Sequence, residues 1–366
     1  MRLDFFPSRT LTLYLAKLFV VRILAVLVML VVVLQALDLL SQTGDILAYP
    51  GNGQAELLQY VSLRVPQLVA RFLPYSVLLA TIITLATLNA NSEVISMKAA
   101  GLSAHQVLAP LMLTALVISG ISFVFNERIV TRATATLKAW DDVDYGPIPA
   151  EAGSQANVYY TSGDDILMAR TVSGRGDKLK MTNVTFYRRG PNSAIVEQWR
   201  ADAASYANPG WLLDNPQRYE VASAELKETT GPQIVAKGLR PDQVLLKKVD
   251  PDATPIMELR KDINALKAAG RRSAEFEAAW WHKISGPLSA LLMPLLGGIA
   301  AFGLARSGQL FLRAIIGMAL GFAYFVLDNA ALAMGNFGGY PPILAAWAPF
   351  FLFALIGEAV LIRTEE

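Results

Sequence analysis

Long apolar runs broken by short polar joints make up most of this chain, and one wide polar stretch divides them three and three. Six runs reach the roughly 20 residues that a helix needs to cross a hydrocarbon core of about 30 Å. They extend from about Leu18 to Leu40, Phe72 to Ala90, Leu102 to Phe125, Ile284 to Ala305, Ala314 to Met334 and Ile343 to Ile362. Backbone amides in lipid must be satisfied within their own segment, which predicts helices; the alternation of a transmembrane barrel is missing from these runs. Between the third and fourth runs, from about Asn157 to Lys247, the pattern changes. Stretches such as NVYYT, DILMART, KLKMTNVTFYR and QRYEVASAEL concentrate β-formers and are separated by Gly, Asn, Pro and Asp. About eight short strands predict an all-β sandwich or jellyroll, with ANPGW at 207–211 as one turn. After it, TPIMELRKDINALKAAG at 254–270 predicts an amphipathic helix with Thr254 as cap and Pro255 at its first position. A further helix begins near Ser273 and runs through Trp280 and Trp281, a pair suited to an interfacial aromatic belt, into the fourth run.

Charge supports this division. Residues 127 to 283 carry 22 of the 32 basic and 21 of the 30 acidic residues, leaving the flanking parts too poor in charge to cover a soluble globule. The predicted domains are an N-terminal membrane half at 1–138, an extracytoplasmic β-domain at 139–253, and linker helices with a C-terminal membrane half at 254–366. Lys and Arg set the orientation. Arg2, Arg9, Lys17 and Arg22 precede or open the first run, Lys98 lies between the second and third, Arg306 and Arg313 join the fourth and fifth, and Arg363 follows the sixth. The loops at 41–56 and 335–342 hold no Lys or Arg, and Arg64 and Arg71 are the exceptions. Both termini are therefore expected in the cytoplasm and the β-domain outside. The N-terminal stretch lacks the short apolar core and cleavage site of a signal peptide, so it is expected to be a retained first helix.

A net charge of +2 gives no reason to expect nucleic acid. With no cysteine, disulfide scaffolds, zinc–thiolate sites and iron–sulfur clusters are excluded. No phosphate-binding loop and no G-x-S-x-G elbow occurs, and His105 and His282 have no partner at metal-ligand spacing. The chain is thus expected to be neither an enzyme nor a metal or cofactor protein. Polar residues inside the runs are more telling, because a charge at the bilayer centre costs about 3 kcal/mol even on insertion scales. Gln35 and Asp38 lie near the outer end of the first run, Asp328 interrupts the fifth, and all three are candidates for lining a lipid-binding site. Asp328 faces either a cavity or a neighbouring helix; Asp38 is close enough to the headgroups to be solvated. Gly297, Gly298, Gly303, Gly317 and Gly321 allow close helix contact.

The stretch NSEVISMKAAG at 91–101 reads as a short cytoplasmic helix. Asn91 or Ser92 can cap it, Glu93 is favoured at its positive end, and Gly101 supplies the left-handed residue that ends it. Glu93, Val94, Met97 and Lys98 fall at helical spacing, which predicts an anionic tip with an apolar knob suited to a groove on a soluble partner.

SEVISMKAAGLS, WWHKISGPLS at 280–289, and GMALGFAYFVLDNAALAMG at 317–335 followed by Pro341 and Pro342 resemble the LptF/LptG permease family, membrane subunits of the lipopolysaccharide-export ABC transporter. LQALDLLSQTGD at 34–45 and VPQLVARFLPYSVLLA at 65–80 look similar too, and the fifth run with its aspartate is more like LptG than LptF members. The resemblance implies six helices with a periplasmic β-jellyroll in a Gram-negative inner membrane. It also implies pairing with an LptF-like permease and two copies of a cytoplasmic LptB-like ATPase that uses ATP and Mg, an LptC-like anchored protein, an LptA-like periplasmic bridge, and lipopolysaccharide as cargo. The family's coupling helix falls on 91–101 and its glutamate on Glu93. Family members can place a lysine on the outer part of the first span to meet lipid phosphate; here Gln35 stands there. Arg64, Arg71, Arg128, Arg132 and Lys138 are then candidates on charge chemistry, each equally readable as an interfacial anchor. A different class of reading is a membrane-anchored envelope scaffold or sensor with a β binding domain, which would lack an ATPase partner.

Overall fold

The computed structural model describes residues 7–147, 155–162, 165–173, 179–190, 194–221, 225–228, 233–241, 244, 250–268, 272–302 and 310–365. The apolar runs form helices that extend well past them. Helix α1 spans Arg9–Ala48 and α2 spans Gln54–Ala90, passing Pro66 and Pro74 without a break. The short α3 covers Glu93–Ala99 and α4 covers Ala104–Phe125; a π turn, Asn126–Val130, leads from it into α5, Thr131–Asp141. After the β region come α6, Ile256–Ala268, α7, Ala274–Phe302, α8, Leu310–Asn336, and α9, Pro342–Glu365. Among the described residues, five helices are long and apolar enough to cross a membrane: Arg9–Ala48, Gln54–Ala90, Ala104–Asp141, Ile315–Asn336 and Pro342–Arg363. The remaining expected span falls on α7 as far as Phe302, its last residues and Gly303 lying outside those described, and α7 is not one of those five.

The chain divides into two compact units. The first comprises residues 1–42, 57–134 and 251–366, and the second 43–56 and 135–250. The first unit is built on one apolar core: Leu15, Phe19 and Ile23 of α1 meet Leu85 and Leu88 of α2, Val94 and Met97 of α3, Val107 and Leu111 of α4, Met293 and Leu296 of α7, Tyr324 of α8 and Phe353 of α9. Tyr324 and Phe353 meet edge to face, 5.4 Å between centroids. Absent side chains let these helices come close. A Cβ on Gly297 would lie 2.7 Å from Thr81 Cγ2, and one on Gly321 would lie 2.1 Å from a Leu78 methyl. Thr81 cannot swing away cheaply, because its hydroxyl donates to the Val77 carbonyl at 2.7 Å.

Helix α6 starts one residue later than the sequence suggests, at Ile256, with Pro255 before it. Its first amide is satisfied from far along the chain: Ile256 N–H donates to Glu127 Oε1 at 2.6 Å. A carboxylate at the positive end of a helix is favoured by the dipole as well as by the hydrogen bond. Trp280 Nε1–H donates to the Ile256 carbonyl at 3.1 Å and its ring lies under the Arg260 guanidinium, so this tryptophan holds α6 besides any interfacial part.

The second unit is all antiparallel β in its sheet region. Strands β1 (Gln155–Ser162), β2 (Asp165–Ser173), β3 (Lys180–Arg189), β4 (Ile195–Ala207), β5 (Gly210–Asp214), β6 (Gln217–Glu220), β7 (Glu225–Glu228) and β8 (Gln233–Val235) form one sheet. Its order is β1-β2-β3-β4-β5-β8, and β6 with β7 branches from the other part of β4. The described pairings thus run as a branched meander within one antiparallel sheet. Cross-strand rows of buried residues run through it: Leu167 opposite Phe186 opposite Trp199, Ala169 opposite Val184 opposite Ala201, and Val172 opposite Met181 opposite Ala204. From Ala169 to Val172 the step is three, where strand alternation needs two, so the buried face changes along β2, β3 and β4 together. Such coiled strands bury one face at one end and the opposite face at the other. The expected ANPGW turn joins β4 to β5, with a cis Asn208–Pro209 peptide. Asn52 Nδ2–H donates to the carbonyls of Ile46 and Tyr145, tying the α1–α2 turn to the end of the segment after α5.

Close approach of α2 and α7 at Gly297 gives a stability prediction. Gly297→Val should destabilise the protein by about 1–3 kcal/mol through overpacking against Thr81, read as a lower Tm in detergent; Ser273→Ala, away from that contact, should lower it less.

Candidate functional site

Three sets of side chains in the helical unit bear on function. The first is α3. Ser92 precedes it in the left-handed region, φ 59°, and makes no side-chain capping bond; Asn91 Nδ2–H goes instead to Glu93 Oε1 at 3.3 Å. The expected side-chain cap is therefore replaced by a strained joint that turns the chain sharply out of α2. The other end forms as expected. Gly101, φ 85°, donates to the Lys98 carbonyl and Leu102 to the Met97 carbonyl, a Schellman closure. Ser103 and Gln106 then make a reciprocal capping box that opens α4 at once. Both ends of α3 are fixed within a few residues, so it is held as a rigid step between two long helices.

Burial changes which faces of α3 are available. Val94 and Met97, expected as an outward knob, are 5% and 8% exposed and belong to the helical core. The apolar residue that projects is Ile95, 65% exposed. Seven residues cannot hold as an isolated helix, and burying two side chains is what holds α3 in place. Glu93 remains at the tip, and Tyr14 Oη–H of α1 donates to its Oε2 at 3.0 Å.

The second set is a polar seam between α1 and α2. Asp38 receives Arg64 through both Nε–H, 3.0 Å, and Nη2–H, 2.9 Å, on separate oxygens. Tyr60 Oη–H adds a 2.6 Å bond to the same carboxylate, and Arg64 Nη1–H donates to Gln67 Oε1 at 2.9 Å. A forked Arg–carboxylate pair of this kind fixes geometry as well as charge. One turn earlier, Gln35 is 8% exposed, and neither amide atom has a partner among the described residues. It follows Val31 by one turn of α1, where Leu27 and Val31 meet Leu68 of α2 in an apolar seam. Arg71, two turns past Arg64, is exposed.

The third set pairs the two histidines with carboxylates. His282 Nε2 of α7 lies 3.9 Å from Asp328 Oδ2 of α8, and Asp328 is only 7% exposed. Asp328 is thus turned between helices toward His282. His105 Nε2 of α4 lies 2.9 Å from Glu358 Oε1 of α9. Among the described residues no cluster of His, Asp or Glu could hold a metal ion. Of the other basic candidates, Arg128 and Arg132 are exposed one helical turn apart, while Lys138 is paired with Asp250.

The chain matches the model of the lipopolysaccharide export system permease family LptF/LptG over residues 13–363. It belongs to this family. Among similar proteins is the lipopolysaccharide export system permease protein LptG of Escherichia coli strain K12, 26% identical over 367 residues that cover 98% of this chain and 99% of that protein. The corresponding LptG of Haemophilus influenzae is 24% identical over 326 residues, 86% of this chain and 89% of that protein.

As an LptF/LptG family chain, the protein carries at its α1–α2 seam an arginine that is already neutralised. Sequence reading found Arg64 and Asp38 separately as lipid candidates; the structure brings them together, exposes Arg71, Arg128 and Arg132, and places the likewise exposed Lys138 beside Asp250. Tyr14, Tyr60 and Ile95 were missed. Tyr60 stands 22 residues from Asp38 and Tyr14 79 from Glu93, distances at which no sequence spacing signals contact.

Arg64→Gln should cost at most about 1.5–3 kcal/mol, the range for hydrogen bonds to a charged group, partly offset because both side chains keep some solvent. The double variant Asp38→Asn/Arg64→Gln should cost less than the two single changes summed, by about 1 kcal/mol in a double-mutant cycle. Detergent unfolding of the four proteins measures this, and strict additivity would show that the pair is not coupled.

Proposed function

We propose that this chain is a permease subunit of an ABC transporter that extracts lipopolysaccharide from the inner membrane of a Gram-negative cell. In this reading it has six spans with α7 as the fourth, both termini in the cytoplasm, and a jellyroll-like β-domain in the periplasm. It pairs with an LptF-like permease and two copies of an LptB-like ATPase, which supplies the hydrolysis of ATP with Mg. An LptC-like anchored protein and an LptA-like bridge take the cargo onward, the latter by adding a strand to a sheet edge. The domain division at 1–138, 139–253 and 254–366 belongs to the same proposal. What supports the reading is the family match along nearly the whole chain, together with the membrane-length helices and the antiparallel β region.

The mechanism follows from where charge and apolar surface lie. Helix α3, with Glu93, Ile95 and Lys98, is the coupling element: Glu93 meets a basic residue in a groove of the ATPase, and Val94 and Met97 anchor α3 in the core so that a push on it moves the bundle. Arg71, Arg128 and Arg132 attract lipid phosphates as a cationic rim. Gln35, Asp38, Arg64, Lys138 and Asp328 act indirectly, by holding helices and setting the charge that Arg64 and Lys138 show to an anion.

Glu93→Ala should lower lipid-stimulated ATP turnover of the reconstituted complex about tenfold, the effect of losing roughly 1.4 kcal/mol of charge-assisted contact, with expression unchanged. Normal turnover and export in that variant would remove the coupling role. Charge reversal at Arg128 and Arg132 should weaken lipopolysaccharide crosslinking severalfold, and unchanged crosslinking would count against the rim.

A further inference from the structure

We infer that Tyr14 is a positioning residue that makes α1 follow α3. The inference rests on the coupling role proposed for Glu93 and extends it to a second helix. Glu93 has two oxygens, one receiving Asn91 and the other the Tyr14 hydroxyl of α1. Tyr14 stands beside Leu15 and one turn before Phe19, the α1 residues that enter the same core as Val94 and Met97 of α3. Two turns past Tyr14, Arg22 Nη1–H donates to the Ile83 carbonyl of α2 at 3.2 Å. Beyond this level α1 is covered on one side only, by the α2 seam, and Leu24, Val28, Val32 and Leu37 are all exposed.

Helix α1 is therefore held firmly to α3 and α2 at its inner third and loosely along the middle. Apolar contact alone is non-directional and lets surfaces slide. A hydrogen bond has a preferred length and angle, so the Tyr14–Glu93 bond is the element that fixes the register of α1 on α3. Phenylalanine at 14 would keep the packing and lose the register.

The chain has no cysteine, so labels can be placed cleanly. Leu13 of α1 and Ala99 of α3 are both exposed and suit spin labels through Leu13→Cys and Ala99→Cys. In the complex with its nucleotide-hydrolysing subunits, the label distance should be the same without nucleotide and with a trapped ATP analogue. With Tyr14→Phe added, the distance should change between those two states. Lipid-stimulated kcat should fall about threefold to tenfold, as loss of one such bond implies, with KM for ATP unchanged. Glu93→Gln, which still accepts from Tyr14, should keep the distance constant. If Tyr14→Phe also keeps it constant, the positioning role is overturned whatever the turnover. If Glu93→Ala leaves turnover intact, the coupling reading itself fails, an outcome read independently of the labels.

Discussion

A polar group inside a hydrocarbon layer has no water to fall back on, so its partner must come from the protein. The helical unit is organised by that constraint. Its long helices are apolar enough to slide past one another, and what sets their relative position is a small number of side chains that bond across. Helix α1 is tied to its neighbours at three heights, through Tyr14 to Glu93, through Arg22 to a carbonyl of α2, and through Asp38 to Arg64 and Tyr60. Helix α7 meets α8 through His282 and Asp328, and α4 meets α9 through His105 and Glu358. Even α6 begins where a distant glutamate completes its first turn. Gln35 stands out against this background, a nearly inaccessible carboxamide with neither atom bonded among the described residues.

The same pairing decides which cations can meet an anion. Arg64 has its fork occupied by Asp38 and its remaining nitrogen by Gln67, and Lys138 has Asp250. Any phosphate reaching either must compete with a carboxylate already in place. Arg71, Arg128 and Arg132 face outward. The site thus separates cations that hold the fold from cations left for a ligand, a distinction that residue type alone does not make.

Hydrophobic run length was enough to place every long helix, because the apolar stretches are uninterrupted and lipid leaves the backbone few alternatives. The ends were not legible: α1 and α2 continue far into polar sequence, where Glu56, Gln59 and Ser62 give no apolar signal. The close of α3 at Gly101 could be read from one residue, since its backbone conformation penalises other side chains. The face of α3 could not. Val94, Ile95 and Met97 are all apolar, and only packing against Leu88 and Ala104 selects which two turn inward. Sheet alternation was partly hidden for a related reason, the change of buried face after Ala169, Val184 and Ala201. The histidines looked unpartnered because their carboxylates lie 46 and 253 residues away in the chain.

Between α4 and α5 the chain makes one turn with an extra residue, where the Thr131 amide reaches back to Asn126. Each residue of an α-helix advances the screw by about 100°, so that single insertion sets the phasing of everything after it. Thr131 and Thr134 end up buried while Arg132 between them stays out. In a helix wound regularly, with one residue fewer, Arg132 would inherit the place now filled by Thr131. The loosened winding is what keeps a guanidinium from being threaded into the interior.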